Sequence, residues 1–180
     1  GNYDDATACL PVVCQITKML NGTLYAGEFP IADGAQCAMF VRDGKPLMAV
    51  WMPGDKPITY TFDTDVHVED MSGNPLGDTK TVEIDDDVYW ISGFGKNYIY
   101  KTAYSVMNGA YDSIEEKYAG KLDMSIFDGL RAVTENDIAG NSKDVLKRHY
   151  DAGDRLIDEY LNGKTSLELP ELTQILFDLH

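Results

Sequence analysis

An α+β fold is predicted: an antiparallel β-sandwich over about residues 24–92, preceded by one helix and followed by a helical hairpin or bundle. Three observations predict it. Asp43-Gly44 separates two apolar runs, Gln36–Arg42 and Lys45–Trp51, and Asp-Gly supplies the two positive φ angles that a type I′ hairpin turn needs. Short runs rich in Val, Ile, Tyr and Thr then recur as far as Ile91, with Gly and Pro turns between them. Beyond Ser92-Gly93-Phe94-Gly95 the apolar spacing becomes helical. The chain thus divides into a leading helix (1–23), a β-sandwich domain (24–95) and a helical region (96–180).

Taken in order, Thr7 to Leu20 places Leu10, Val13, Ile16 and Leu20 at a spacing near one helical turn, and Asn21-Gly22 stops the helix. Pro11 is expected in its first turn. Leu24 to Phe29 leads into the hairpin. If Arg42 and Lys45 close the turn, Phe40 faces Leu47, Met39 faces Met48 and Cys37 faces Val50. Neither face of that ribbon is polar, so it belongs at the centre of a sheet, covered on both sides. Met52-Pro53-Gly54-Asp55 turns the chain. Ile58–Phe62, Val66–Asp70, Thr79–Ile84 and Val88–Ile91 are read as separate strands. Tyr98 to Tyr118 is ambiguous: its start favours a strand, whereas Val106, Ala110, Ile114 and Tyr118 favour a helix. Met124 to Val133 reads as helical. Ser142 is expected to cap a long helix with Val145, Leu146, His149, Ala152, Leu156, Ile157, Tyr160 and Leu161 on one stripe, ended by Asn162-Gly163. Leu169 to Leu179, with Pro170 at its start, is the last helix.

The formal net charge of −15 argues against nucleic acid and against an anionic membrane surface as partners. No run of about 18 apolar residues is present, so no membrane span is expected. Cys9, Cys14 and Cys37 are read as small buried hydrophobes rather than as redox or metal groups. The abrupt opening Gly1-Asn2-Tyr3-Asp4-Asp5 shows no secretory leader and is compatible with a signal or a preceding domain having been cut away.

Chemistry-bearing motifs are few. Gly93-Phe94-Gly95 lacks the third glycine of a phosphate loop. His67, His149 and His180 have no ligand partner at zinc spacing, and His149 sits on an apolar stripe as a packed side chain. Asp85-Asp86-Asp87 reads as a solvated turn, with a calcium site as the sharper alternative. No catalytic residue, cofactor or metal is assigned. Flat rings are the remaining candidates, because sugars stack their CH groups on exposed aromatics; Trp51, Tyr60 and Tyr98 are the candidate carbohydrate-binding residues. Trp90 is expected to be a core anchor.

One resemblance rises from these residues. Lys18-Met19-Leu20-Asn21-Gly22-Thr23-Leu24-Tyr25-Ala26-Gly27-Glu28, within Leu10 to Phe29, resembles the last helix of a glycosidase TIM barrel and its exit into the following domain. The Phe40–Pro46 hairpin, Ala49-Val50-Trp51, the Val68–Pro75 turn and Asp87-Val88-Tyr89-Trp90-Ile91 complete a likeness to the C-terminal β-sandwich of clan A-type glycoside hydrolases, over about residues 10–92. The catalytic carboxylates of that family lie on barrel strands upstream, so none is carried over. The resemblance implies a non-catalytic accessory region of a secreted or cell-surface bacterial protein, supporting or positioning a catalytic domain. It also implies an apolar docking patch on the helix from Thr7 to Leu20 and the adjoining sheet edge. Two further readings stand beside it: a carbohydrate-binding module acting on a polysaccharide, and a protein-interaction module of a surface assembly.

Overall fold

The computed structural model describes residues 5–54 and 56–179, with side chains from Leu10 onward. Its class is α+β: one helix, then a six-stranded antiparallel sheet, then further helices. The chain forms two compact units, residues 1–102 and 103–180. Cys9, Asp55 and His180, each named above, lie outside the described side chains.

In the first unit α1 (Asp5–Leu20) precedes β1 (Leu24–Glu28), β2 (Gln36–Arg42), β3 (Lys45–Trp51), β4 (Ile58–Glu69), β5 (Pro75–Ile84) and β6 (Tyr89–Ser92). The hairpin turn is the one expected: Asp43 has φ 52° and Gly44 φ 72°. Its register also matches, with Phe40 opposite Leu47, Met39 opposite Met48, Cys37 opposite Val50, and Arg42 opposite Lys45. The sheet order β1-β2-β3-β6-β4-β5 places β2 and β3 inside it. Every residue of β3 from Pro46 to Val50 is buried, as an internal strand covered on both faces requires.

All six strands belong to one hydrogen-bonded sheet, so the layers expected of a sandwich come from a single sheet that bends over itself. The Met52 N–H, just beyond β3, donates to the Asp85 carbonyl, just beyond β5, at 2.5 Å. β6 and β4 lie between those strands, and a flat sheet would hold the two groups several strand spacings apart. The inner face carries Met39, Met48, Val50, Val68, Ile84 and Ile91, and Phe62 joins them from the far end of β4. The other face carries Leu47, Ala49 and Trp90 beneath Met19 of α1, which makes Trp90 the core anchor it was expected to be.

Ile58–Phe62 and Val66–Asp70, expected as two strands, are one. Asp63-Thr64-Asp65 stays extended across a register shift in the β4–β5 pairing. The Tyr98 hydroxyl accepts from the Asp63 N–H at 3.2 Å, and Asn97 Nδ2 donates to Asp63 Oδ2 at 3.0 Å. Polar residues that look like a turn in sequence are thus held as strand by side chains 34 and 35 positions later. Pro11 lies inside α1 rather than in its first turn, because the helix starts at Asp5.

Helix α2 (Asn97–Tyr118) is helical throughout, which resolves the ambiguous stretch against a strand at its start. Its first residues belong to the first unit, where Tyr98 packs against Phe29, Phe62 and Phe94. The second unit continues with a 3-10 turn (Met124–Phe127), α3 (Asp128–Arg131), α4 (Glu135–Gly140), α5 (Ser142–Leu161) and α6 (Leu169–Asp178). Its core gathers Tyr111, Ile114, Phe127, Leu130, Leu156 and Ile175. Helix α4 was not expected; a reciprocal capping box between Thr134 and Asp137 nucleates it. Ser142 does not cap α5, since Asn141 holds that position with no side-chain cap bond.

The cysteines differ from expectation in one place. Cys37 is buried, and burial pushes its thiol up to about 12. Cys14 is exposed on α1, because the helix turns other residues toward the sheet. In a Cys9→Ser background, Ellman's reagent at pH 8 is therefore expected to titrate one thiol rapidly, and Cys37 only after denaturant is added. Two fast thiols in the native protein would contradict this placement.

Candidate functional site

Of the three candidate rings, Tyr98 cannot belong to an exposed row. Tyr98 is 2% exposed and packed among Phe29, Phe62 and Phe94, so no face of it is open to a sugar. Its assignment to a carbohydrate surface is corrected to a core role: its hydroxyl fixes the Asp63 backbone. Tyr60 is half-buried, edge-on to Phe29 at 6.3 Å and to Phe62 at 4.9 Å. Burial, then the neighbouring Tyr98, pushes its phenol up to about 12. Trp51 is half-buried at the end of β3. A stacking platform needs adjacent rings presented flat to solvent; Tyr98 presents none, and Trp51 and Tyr60 are each only partly open.

The open apolar surface lies elsewhere. Helix α1 has apolar residues on more than one side, and it meets the sheet with Val12, Gln15 and Met19 turned inward. Gln15 Nε2 donates to Glu69 Oε2 at 2.5 Å, and Lys18 Nζ stands 3.5 Å from the same carboxylate oxygen. Arg42 Nη1 donates to the Lys18 carbonyl at 3.1 Å, meeting one of the acceptors left open at a helix C-terminus. These bonds fix the rotation of α1. They leave its other stripe outside: Leu10 is 62% and Val13 56% exposed, with Ile16 and Leu20 also open to solvent. At the sheet edge on the same face, exposed Tyr25 of β1 leans on Phe40 with ring centroids 5.7 Å apart.

A hollow of about 680 Å³ opens where α1 ends, between the hairpin tip and the residues after β6. Lys18, Arg42, Lys45 and Glu69 line it. Lys18 pairs with Glu69, and Arg42 is engaged with the carbonyls that end α1. Nearby, His67 Nδ1 lies 2.9 Å from Asp78 Oδ1 and His67 Nε2 lies 3.6 Å from Glu69 Oε1. These groups pin α1 and the β4–β5 hairpin together. None is a nucleophile held by a base.

The Asp85-Asp86-Asp87 turn has its own internal partners: Asp85 Oδ1 accepts from the Tyr89 hydroxyl at 2.8 Å and from the Asp87 N–H at 3.0 Å. Among the described residues no three His, Cys, Asp or Glu side chains are grouped as a metal would need, and no helix is long and apolar enough to cross a membrane. His149 packs against the Tyr111 ring, 6.3 Å between centroids.

Sequence periodicity singled out Leu10, Val13, Ile16 and Leu20 but not the direction they would face. The residues that set that direction, Gln15 and Glu69, are 54 positions apart and belong to no motif. No protein-family model matches the chain, and neither a curated protein nor a solved structure matches it.

Proposed function

We propose that the chain is a non-catalytic accessory unit of a secreted, glycoside hydrolase-like bacterial protein, which supports or positions a larger catalytic domain. The observation that carries the docking part is the orientation of α1. A helix fixed to its sheet by Gln15, Met19 and Arg42 nevertheless presents Leu10, Val13, Ile16 and Leu20 to water. A contiguous apolar patch of this kind marks an interface. Burying such side chains fully against a partner contributes on the order of 1.5–3 kcal/mol each before the costs of association. The glycosidase context rests on the sequence likeness over residues 10–92.

Polysaccharide contact is the weaker alternative, since it needs exposed flat rings and Tyr98 has none to offer. The docking reading is tested by carbene footprinting of the isolated chain beside the whole natural gene product. Leu10, Val13 and Ile16 are expected to label strongly in the isolated chain and at least several-fold less in the whole protein. Equal labelling in both would remove the docking role.

A further inference from the structure

The second unit carries a separate apolar trough, independent of the α1 face. Helix α5 buries Val145, Ala152, Gly153 and Leu156, and Ala152 and Leu156 belong to the core of that unit. Its adjoining stripe does not follow: Leu146 and Tyr150 are each 53% exposed. Beside that stripe α6 holds Phe177, 77% exposed. A hollow of about 480 Å³ forms a trough between α5 and α6, and a second of about 630 Å³ lies beside it along α6, with Thr173 and Phe177 bordering both.

Gly153 lies on its lining. Glycine is a poor helix former, and a Cβ at Gly153 would meet nothing nearer than Leu176 Cδ2 at 3.5 Å, an ordinary contact. Gly153 is itself buried, so Ala fits there without a clash, whereas a longer side chain would press on Leu176 and on the floor of the trough.

The rim supplies the sign of the partner. Asp154 lines the trough, and Asp158 follows one turn later on the same side of α5. Neither forms an ion pair among the described residues, while the nearby Lys147 is taken by Asp151. A second copy of the chain, net charge −15, would bring these carboxylates against its own acidic surface, and an anionic membrane would repel them.

The geometry points to an amphipathic helix of a partner protein, apolar along one face and flanked by Lys or Arg, as the occupant of the α5–α6 trough. Its large side chains at i, i+3, i+4 and i+7 lie over Tyr150, Gly153 and Phe177, and its basic flank faces Asp154 and Asp158.

The test uses the full chain and two fluorescein-labelled synthetic peptides about five turns long, identical in their Leu face and carrying Lys or Glu on the flanks. Anisotropy titration is expected to give saturable binding of the Lys peptide in the micromolar range, and binding at least about tenfold weaker for the Glu peptide. Phe177→Ser is expected to weaken the Lys peptide about tenfold, and Asp154→Asn with Asp158→Asn to weaken it several-fold and flatten its salt dependence. Gly153→Leu should block it, while Gly153→Ala leaves it in place; circular dichroism checks that each variant keeps its helices. No saturation up to about 1 mM peptide overturns the proposal, as does equal binding of both peptides or of the Phe177→Ser variant. Sedimentation showing a dimer that Phe177→Ser dissociates makes a second copy the occupant and overturns it too. Phe177-dependent binding to phosphatidylserine vesicles would do the same in favour of a lipid surface.

Discussion

Phe62→Ala is expected to lower the unfolding free energy of the first unit by about 3–5 kcal/mol, the range for truncating a fully buried aromatic. Phe62 is 1% exposed and touches three rings: Tyr60 at 4.9 Å, Tyr98 at 5.6 Å and Phe94 at 6.0 Å between centroids. Those rings come from β4, from the loop after β6 and from the start of α2. Their shared contacts hold the bent part of the sheet closed over Met39 and Met48, so the cavity left by Ala has no single element that can collapse into it. Urea titration followed by tryptophan fluorescence is the measurement, since Trp51 and Trp90 both lie in this unit. A loss below about 1.5 kcal/mol would mean that the ring cluster is loosely packed and that the sheet does not close as described.

Gly73→Ala should cost about 2–4 kcal/mol, a large effect for one methyl group. Gly73 has φ 87°, a left-handed conformation that disfavours a side chain by roughly 1–2 kcal/mol. The new Cβ would also lie 2.7 Å from Gln15 Cδ, and over-packing adds about 1–3 kcal/mol. Gln15 is a flexible side chain, yet it is buried and bonded to Glu69, so moving it breaks the clamp that sets the rotation of α1. The turn itself is held by Asp70, whose Oδ1 accepts the N–H groups of Ser72 and Asn74. Burial alone would raise the Asp70 pKa, but these bonds and the one from Asn74 Nδ2 overcome it and hold the carboxyl below its ordinary value. Combining Gly73→Ala with Gln15→Ala separates the two causes. If the collision matters, the double variant recovers about 1 kcal/mol relative to the sum of the singles; strict additivity would leave the φ cost alone.

The centre of the sheet was legible in the sequence because its determinants are local. Asp43-Gly44 sets the turn, the turn sets the register, and unbroken apolar character on both faces sets the internal position. Trp90 was legible for a similar reason, as a bulky residue in a short apolar strand. Tyr98 was misread as a surface ring because nothing near it in sequence shows that Phe29 and Phe62 come to cover it. The joined β4 strand was missed because Asp63-Thr64-Asp65 has turn chemistry, and only the Tyr98 hydroxyl and Asn97 carboxamide override it.

The candidate interaction surfaces show the same division. An apolar stripe on α1 and another on α5 were both visible as periodicity. Periodicity reports that a helix has an apolar side, and each of these helices has apolar residues on more than one side. By itself the sequence determined the α+β class, the Asp-Gly hairpin with its register, and the existence of the amphipathic helices, since each follows from dihedral preference and side-chain spacing within a short window. Only the tertiary structure decided which side of each helix meets water. That choice depends on pairings across long separations, Gln15 with Glu69 and Arg42 with the last carbonyls of α1, whose energies no local pattern contains.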